Sequence, residues 1–426
     1  MTALIAAPAP ELAIAAQLFQ QLQEQTQDPP GITRDTYGQG ENLAHRLMET
    51  LAQDLDLQID HDGAGNLYMT LLGQDPSLPS IMMGSHLDSV QHGGNYDGAA
   101  GVIAGLMVVQ RLRRLGRIPQ RSVTVMAARA EELCWFPFAY IGSRGAFGTL
   151  PLDLLDDLKR TDDGRSLGEC IQACGFDPDR LRREEQYLKP EQIHCYLELH
   201  IEQGPTLVDA GIPVGIVTGI RGTLRYPYAH IWGSHAHAGA VPRHLRRDAV
   251  LAGVEFVAAL EQYWIDQEAQ GVDLVATVGE FSTNPEHHTM TKIPGEMTFT
   301  LDIRSEDSEA LEALDQHLQD WAGQIGERRH VDINLGSRRT APPALMDPSL
   351  RERLRQLASQ NGIPALEMAS GAGHDAAVFA NQGIPTAMVF VRNENGSHNP
   401  DEAMEMADFA QGWELLAALV DDLLAT

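Results

Sequence analysis

The 426-residue sequence predicts an α/β protein in which a discontinuous domain, built on a mainly parallel sheet, is interrupted by an inserted ferredoxin-like α+β domain. Three observations lead there. Short apolar or β-branched runs alternate with helical patterns and end in polar residues, as strands of a parallel sheet do at their C-terminal edge. From about Arg221 to Gly336 the order changes to βαββαβ, the split βαβ plan of a small sheet. The first pattern then returns. The expected division is 1–220, 221–336 for the insertion and 337–426, in line with the two domains a chain of this length implies.

Taken in order, residues 11 to 57 are helical in pattern, broken by the turn at Pro29, Pro30 and Gly31. Strands follow at Asn66–Leu72 and Ile81–Met83. The second halts at Gly84 and Ser85 and delivers His86 and Asp88, two residues apart and pointing the same way. A loop rich in glycine around Asn95 turns Asp97 back toward His86 before the helix Gly101–Leu115. Imidazole and carboxylate at a strand end suit a divalent cation, and Asp88 is placed to hold the His86 ring in one tautomer.

Ser122–Ala128 is a further strand, ending at Glu131 and Glu132. On an extended backbone these point to opposite sides, which fits Glu132 as a metal ligand and Glu131 facing substrate and water. The neighbouring LCWFPF predicts burial, and buried carboxylates need cations. The strand within IHCYLELHIEQG brings Glu198, His200, Glu202 and Gln203 to a turn, with His200 as ligand candidate. In the insertion the strands are Thr223–Trp232, Val272–Glu280, Glu296–Ile303 and His330–Leu335, and the helices Arg247–Gln267 and Ser308–Ile325. Beyond it come a helix from Pro348, the strand Ala365–Met368, the turn SGAGHDA, the strand Thr386–Val391, His398 and a terminal helix. His86, Asp97, Glu132, His200 and His398 are each expected just past a strand, at the edge where such sheets carry their site.

With 43% hydrophobic and 21% charged residues the chain has the composition of an ordinary soluble globular protein. A net charge of −28, with nearly all the basic residues arginine, repels nucleic acid and anionic lipid. The N-terminal stretch reads as an amphipathic helix and no run is long enough for a membrane span. Four scattered cysteines point to a reducing cytoplasm rather than a disulfide framework. No GxSxG elbow and no Walker A loop occurs. The reading of another class, a non-catalytic metal- or ligand-binding protein, has no use for a second carboxylate such as Glu131 beside the ligands.

The motifs GSHLDSVQHGGNYDGAAGV, the EE of ARAEELCWFPFAYIGSR, ELHIEQGP, GSHAHAGAVP, FTLDIRS, SGAGHDAAVFA and GSHNPDE occur in this order. Together they resemble the M20-type metallopeptidase-like amidohydrolases of the hydantoinase/carbamoylase group, which includes N-carbamoyl-L-amino-acid hydrolases, β-ureidopropionases and allantoate amidohydrolases. The resemblance runs from about residue 10 to the C-terminus. It implies a zinc-peptidase-like fold with two divalent ions per subunit, zinc, manganese, cobalt or nickel. Asp97 would bridge them, His86 and His200 would hold one, Glu132 and His398 the other, and Glu131 would be the general base. It implies further that Arg304 grips a substrate carboxylate, that Gln203 lines the site, and that the chain is a homodimer whose inserted domain lends His237 to the neighbouring subunit. Thr291 stands where the family has an asparagine before IPG, preceded by a segment HHTM that brings His287 and His288, and Arg243 replaces a methionine. The implied activity is hydrolysis of a linear amide, first of all an N-carbamoyl-L-amino acid, with allantoate or another N-acyl amino acid as the alternative.

Overall fold

Apolar strands buried on both faces set the centre of the fold: Ser80–His86, Val123–Ala128, Ile193–Ile201 and Thr386–Val391 are almost entirely enclosed. In this computed structural model, which describes residues 9–183 and 185–425, these four run parallel and adjacent. The first eight residues, part of the N-terminal stretch read as helical, lie outside the described residues; the helix itself spans Pro10–Gln25.

Among the described residues the sheet has nine strands and is mixed, which corrects the expectation of a mainly parallel one. On one side Leu67–Leu71 and then Gln58–His61 add antiparallel. The link between those two is too short for a crossover, so only a hairpin is open to them. The strand Gln58–His61, QIDH, is polar with its alternate residues exposed, which is why no apolar run announces it. On the other side Val214–Ile220 pairs antiparallel with Thr386–Val391. Helix Ala99–Arg114 is buried on all sides over its first three turns. Gly101 permits that approach, since a Cβ there would stand 2.3 Å from the Leu199 carbonyl oxygen.

Parallel register decides where the functional groups go. His86 lies beside Ala128 and His200 beside Phe390, so the C-terminal ends of all four strands share one edge.

Gly219–Ala344 form a separate compact unit. Its principal strands are Gly222–Trp232, Val275–Thr277, Glu296–Ser305 and Asp332–Asn334, and counted in chain order the sheet runs 2-3-1-4, antiparallel throughout. Helices Ala249–Glu268 and Ser308–Arg329 share its core with residues such as Tyr226, Phe256, Phe299 and Leu314. Residues 337–344 belong here and not to the second part of the discontinuous domain, because Arg339–Ala341 pairs with Thr223–Arg225. The strand expected over 272–280 shrinks to Val275–Thr277, with Phe281–Ser282 pairing separately.

Candidate metal centre

A pocket of about 390 Å³ opens at the shared strand edge of the discontinuous unit. His86 is the last residue of its strand and His200 lies one short of the end of its own, with ring centres 5.7 Å apart. Asp97 follows no strand, contrary to expectation; it comes at the N-terminus of helix Ala99–Arg114, which carries it up to both rings. Gly98 makes this approach feasible: it sits at φ +65°, and a Cβ there would meet the His86 ring at 2.5 Å. Asp97 Oδ1 is 3.5 Å from His86 Nε2 and 3.3 Å from His200 Nε2. Its Oδ2 is 3.3 Å from His398 Nε2, which in turn lies 3.4 Å from Glu132 Oε1. One carboxylate therefore stands between two donor groups.

Glu131 and Glu132 both line the pocket, so their expected divergence does not occur. The strand ends at Ala128, and Ala130 at φ +57° turns the backbone. Asp88 fixes that turn by accepting the Glu131 and Glu132 N–H groups, each at 3.2 Å. The same carboxylate is 3.4 Å from His86 Nδ1, and the Asp88 carbonyl is 3.1 Å from it. A proton held on Nδ1 leaves the Nε2 lone pair directed at Asp97. His200 is arranged alike, with Nδ1 2.9 Å from the Ile201 carbonyl.

The donor set fits a divalent cation in each group. Asp97 Oδ1 is buried and has no hydrogen-bond partner among the described residues, a costly state that a cation relieves. Two bonds of about 2.1 Å at the tetrahedral angle place their donors about 3.4 Å apart, close to the separations seen. Burial pushes Glu131 well above the carboxylate range and Glu132 up to about 7. Burial also opposes charge on Asp97, but the three histidines outweigh it and hold Asp97 well below its ordinary value. Asp97, with Glu132 adding to it, raises His398 to about 9.

A pH dependence follows. A cation at His398 Nε2 would have to displace a proton that this ring keeps up to about 9, so binding there would be weakest in acid and would strengthen as pH rises. The affinity of the metal-stripped protein for Zn²⁺ should climb about tenfold per pH unit from this one proton, levelling off above its pKa. Calorimetric titration between neutral pH and that point checks it. A flat affinity over this range would take His398 out of the ligand set.

The family described as peptidase family M20/M25/M40 matches residues 82–422. The chain belongs to that family. It is 35% identical over 387 residues to an N-carbamoyl-L-amino acid amidohydrolase of Geobacillus stearothermophilus, covering 91% of this chain and 92% of that protein. It is 34% identical over 371 residues to the allantoate amidohydrolase of Escherichia coli strain K12, covering 86% and 87%. A solved hydantoinase/carbamoylase family amidase from Burkholderia multivorans is similar with a TM-score of 0.86 at 28% identity, covering 96% and 97%. This M20-family chain is accordingly a hydrolase of carbon–nitrogen bonds in linear amides.

Around the pocket of this M20 chain, Gln203 is more tightly engaged than a substrate-lining residue need be. At φ +63°, it donates from Nε2 to Asp97 Oδ2 at 2.8 Å. Three side chains escaped the reading of the sequence. Ser397 Oγ is 2.6 Å from both Asp97 Oδ2 and Glu402 Oε2, and Glu402 accepts from the N–H groups of Tyr96 and Asp97. Arg34, fully buried, donates to the carbonyls of Leu87, Asn95 and Asp97 and so ties down the loop on both sides of the site. Glu402 had a signal, its place in GSHNPDE beside His398. Arg34 had none, because its partners lie more than fifty residues away.

The remaining expected residues belong to the inserted unit. Arg304 is bound to Asp302 by Nε at 2.8 Å and Nη2 at 3.1 Å. His237 is exposed, and its Nδ1 accepts the N–H groups of Gly239 and Ala240, each at 3.1 Å. Thr291 is exposed, and its carbonyl accepts the Ala238 N–H at 2.8 Å.

Proposed function

We propose that the chain is a two-metal amidohydrolase that cleaves N-carbamoyl-L-amino acids. The position of Asp97 between the His86–His200 pair and the Glu132–His398 pair carries this reading. Two divalent ions there, of zinc, manganese, cobalt or nickel, would polarise the scissile carbonyl and make a bound water acidic. Glu131 lies 3.9 Å from His86 Nε2, and burial gives it a strong affinity for protons. It takes the proton of the attacking water and returns it to the leaving nitrogen. Water added across the bond yields the free amino acid and carbamic acid, which breaks down to carbon dioxide and ammonia.

The inserted unit, read as ferredoxin-like from its 2-3-1-4 sheet, is the dimerising module in this account, and its His237 serves the partner's site. Arg304 receives the substrate carboxylate. Asp302 already occupies that guanidinium and also takes Arg225 at 2.7 Å, so a substrate carboxylate shares or displaces an existing fork. Arg304→Lys should raise KM for substrates with a free α-carboxylate by about 30-fold, roughly 2 kcal/mol, because an ammonium cannot reproduce the planar pair of donors. The corresponding amidated substrates should hardly change. Equal losses on both would remove Arg304 from carboxylate binding.

Thr291 in place of the family's asparagine bears on the acyl group, and it favours keeping allantoate as a second reading. The two relatives named for these substrates are almost equally similar to the chain. A panel of N-carbamoyl, N-formyl and N-acyl amino acids with allantoate, each assayed with the four metals, decides between them. Turnover of allantoate with none of any N-carbamoyl amino acid would sink the first choice and leave the hydrolytic chemistry standing.

A further inference from the structure

The inserted unit has a second group of metal-type donors of its own. His235 comes from GSHAHAG and His287 from the HHTM segment, 52 residues later in the chain. They meet because Ala236–His237 pairs with Lys292–Ile293 in a short antiparallel ribbon, while Glu296 opens the next strand. The rings of His235 and His287 are 4.8 Å apart between centres, and His287 Nε2 is 3.7 Å from Glu296 Oε1. One donor atom from each of the three residues falls within 4.8 Å of the others. They line a pocket of about 460 Å³ together with Thr283, His288 and Lys292.

The local backbone holds this set together. A 3-10 turn at Pro285–His287 is capped by the Asn284 side chain, and His288 Nε2 is 2.5 Å from Thr283 Oγ1 across its base. His287 is thus presented from a closed turn. Donors about 3.4 Å apart suit a tetrahedral ion with bonds of about 2.1 Å, so His287 and Glu296 need to approach by only a few tenths of an ångström. His235 Nδ1 accepts the Gly295 N–H at 2.9 Å and lies 3.4 Å from the Ile293 carbonyl. When the proton moves to Nδ1 and is donated to Ile293, Nε2 becomes a ligand. The Gly295 bond is then lost, which limits the affinity. Two imidazoles with one carboxylate select zinc and similar borderline ions over magnesium or calcium, and three protein ligands leave a position for water.

We propose that His235, His287 and Glu296 form an accessory zinc-type site, which pins residues 283–288 to the ribbon carrying His237. The test uses the full chain and Zn²⁺ alone. After equilibrium dialysis against micromolar free Zn²⁺, metal analysis should find one more ion per chain in the wild type than in His235→Ala, His287→Ala or Glu296→Gln. His398→Ala, altered at the other centre, should keep that additional ion. Zn²⁺ should also slow amide hydrogen exchange over 283–291 in the wild type and in His398→Ala, and leave it unchanged in His287→Ala. Metal content in His235→Ala, His287→Ala and Glu296→Gln equal to that of the wild type, with exchange over 283–291 unchanged by Zn²⁺, would overturn the site. Since these three side chains are at least partly exposed, a variant that misfolds will show in its circular dichroism, and the two remaining substitutions still decide the matter.

Discussion

Glu131→Gln is expected to lower kcat by about 10³- to 10⁴-fold while the purified protein keeps its full metal content. The substitution preserves shape and removes only the capacity to accept a proton. The turn bearing the residue stays in place, because Asp88 holds it through the backbone N–H groups of Glu131 and Glu132 and not through either side chain. In the structure Glu132 is close to His398 and Asp97, whereas Glu131 approaches the cluster only at 3.9 Å from His86. That separation is the reason to place Glu132 on a metal and Glu131 on the water. Metal analysis beside steady-state kinetics makes the check. If metal disappears together with activity, Glu131 is a ligand, and the roles of the two glutamates must be exchanged.

The sequence made the cluster of His86, Asp97, Glu132, His200 and His398 legible because each of the five residues sits beside a short apolar run or a glycine-rich turn. Where it misled, the cause was backbone geometry that composition does not encode. Asp97 looks like a residue after a strand, but the glycine at φ +65° following it starts a helix, and the helix end provides the placement. Glu131 and Glu132 look divergent until Ala130 enters the left-handed region. The supporting shell was harder still. Arg34 and Thr36 reach Asp97 and Asp88 across more than fifty residues, and Thr36 Oγ1 donates to Asp88 at 2.5 Å. Such long-range bonds leave no local periodicity. In the inserted unit the alternation of buried and exposed residues marked Gly222–Trp232 and Glu296–Ser305 clearly, while Arg339–Ala341, exposed throughout, carried no pattern. With no pattern there, the sequence alone ends the insertion at 336, whereas the compact unit runs on to Ala344.

His237→Ala should reduce turnover by about 10²- to 10³-fold, the usual loss when one donor to a developing oxyanion is removed. The observed turn and the proposed catalytic role both involve this ring. By accepting the Gly239 and Ala240 N–H groups, Nδ1 caps the turn at HAGAVP, and that bond fixes the proton on Nε2, which is then an outward donor. In the proposed arrangement capping would prepare the ring for the partner's site and would not compete with that task. Complementation separates the roles. Chains carrying His237→Ala and chains carrying Glu131→Gln, each inactive alone, are unfolded, mixed in equal amounts and refolded. Roughly half the dimers should then be mixed, each with a single intact site made from Glu131 of one chain and His237 of the other. Recovery of roughly a quarter of wild-type activity is the expected result. If mixed dimers are present and activity stays at the level of the separate variants, His237 works within its own subunit or outside any site, and the turn is all that it serves.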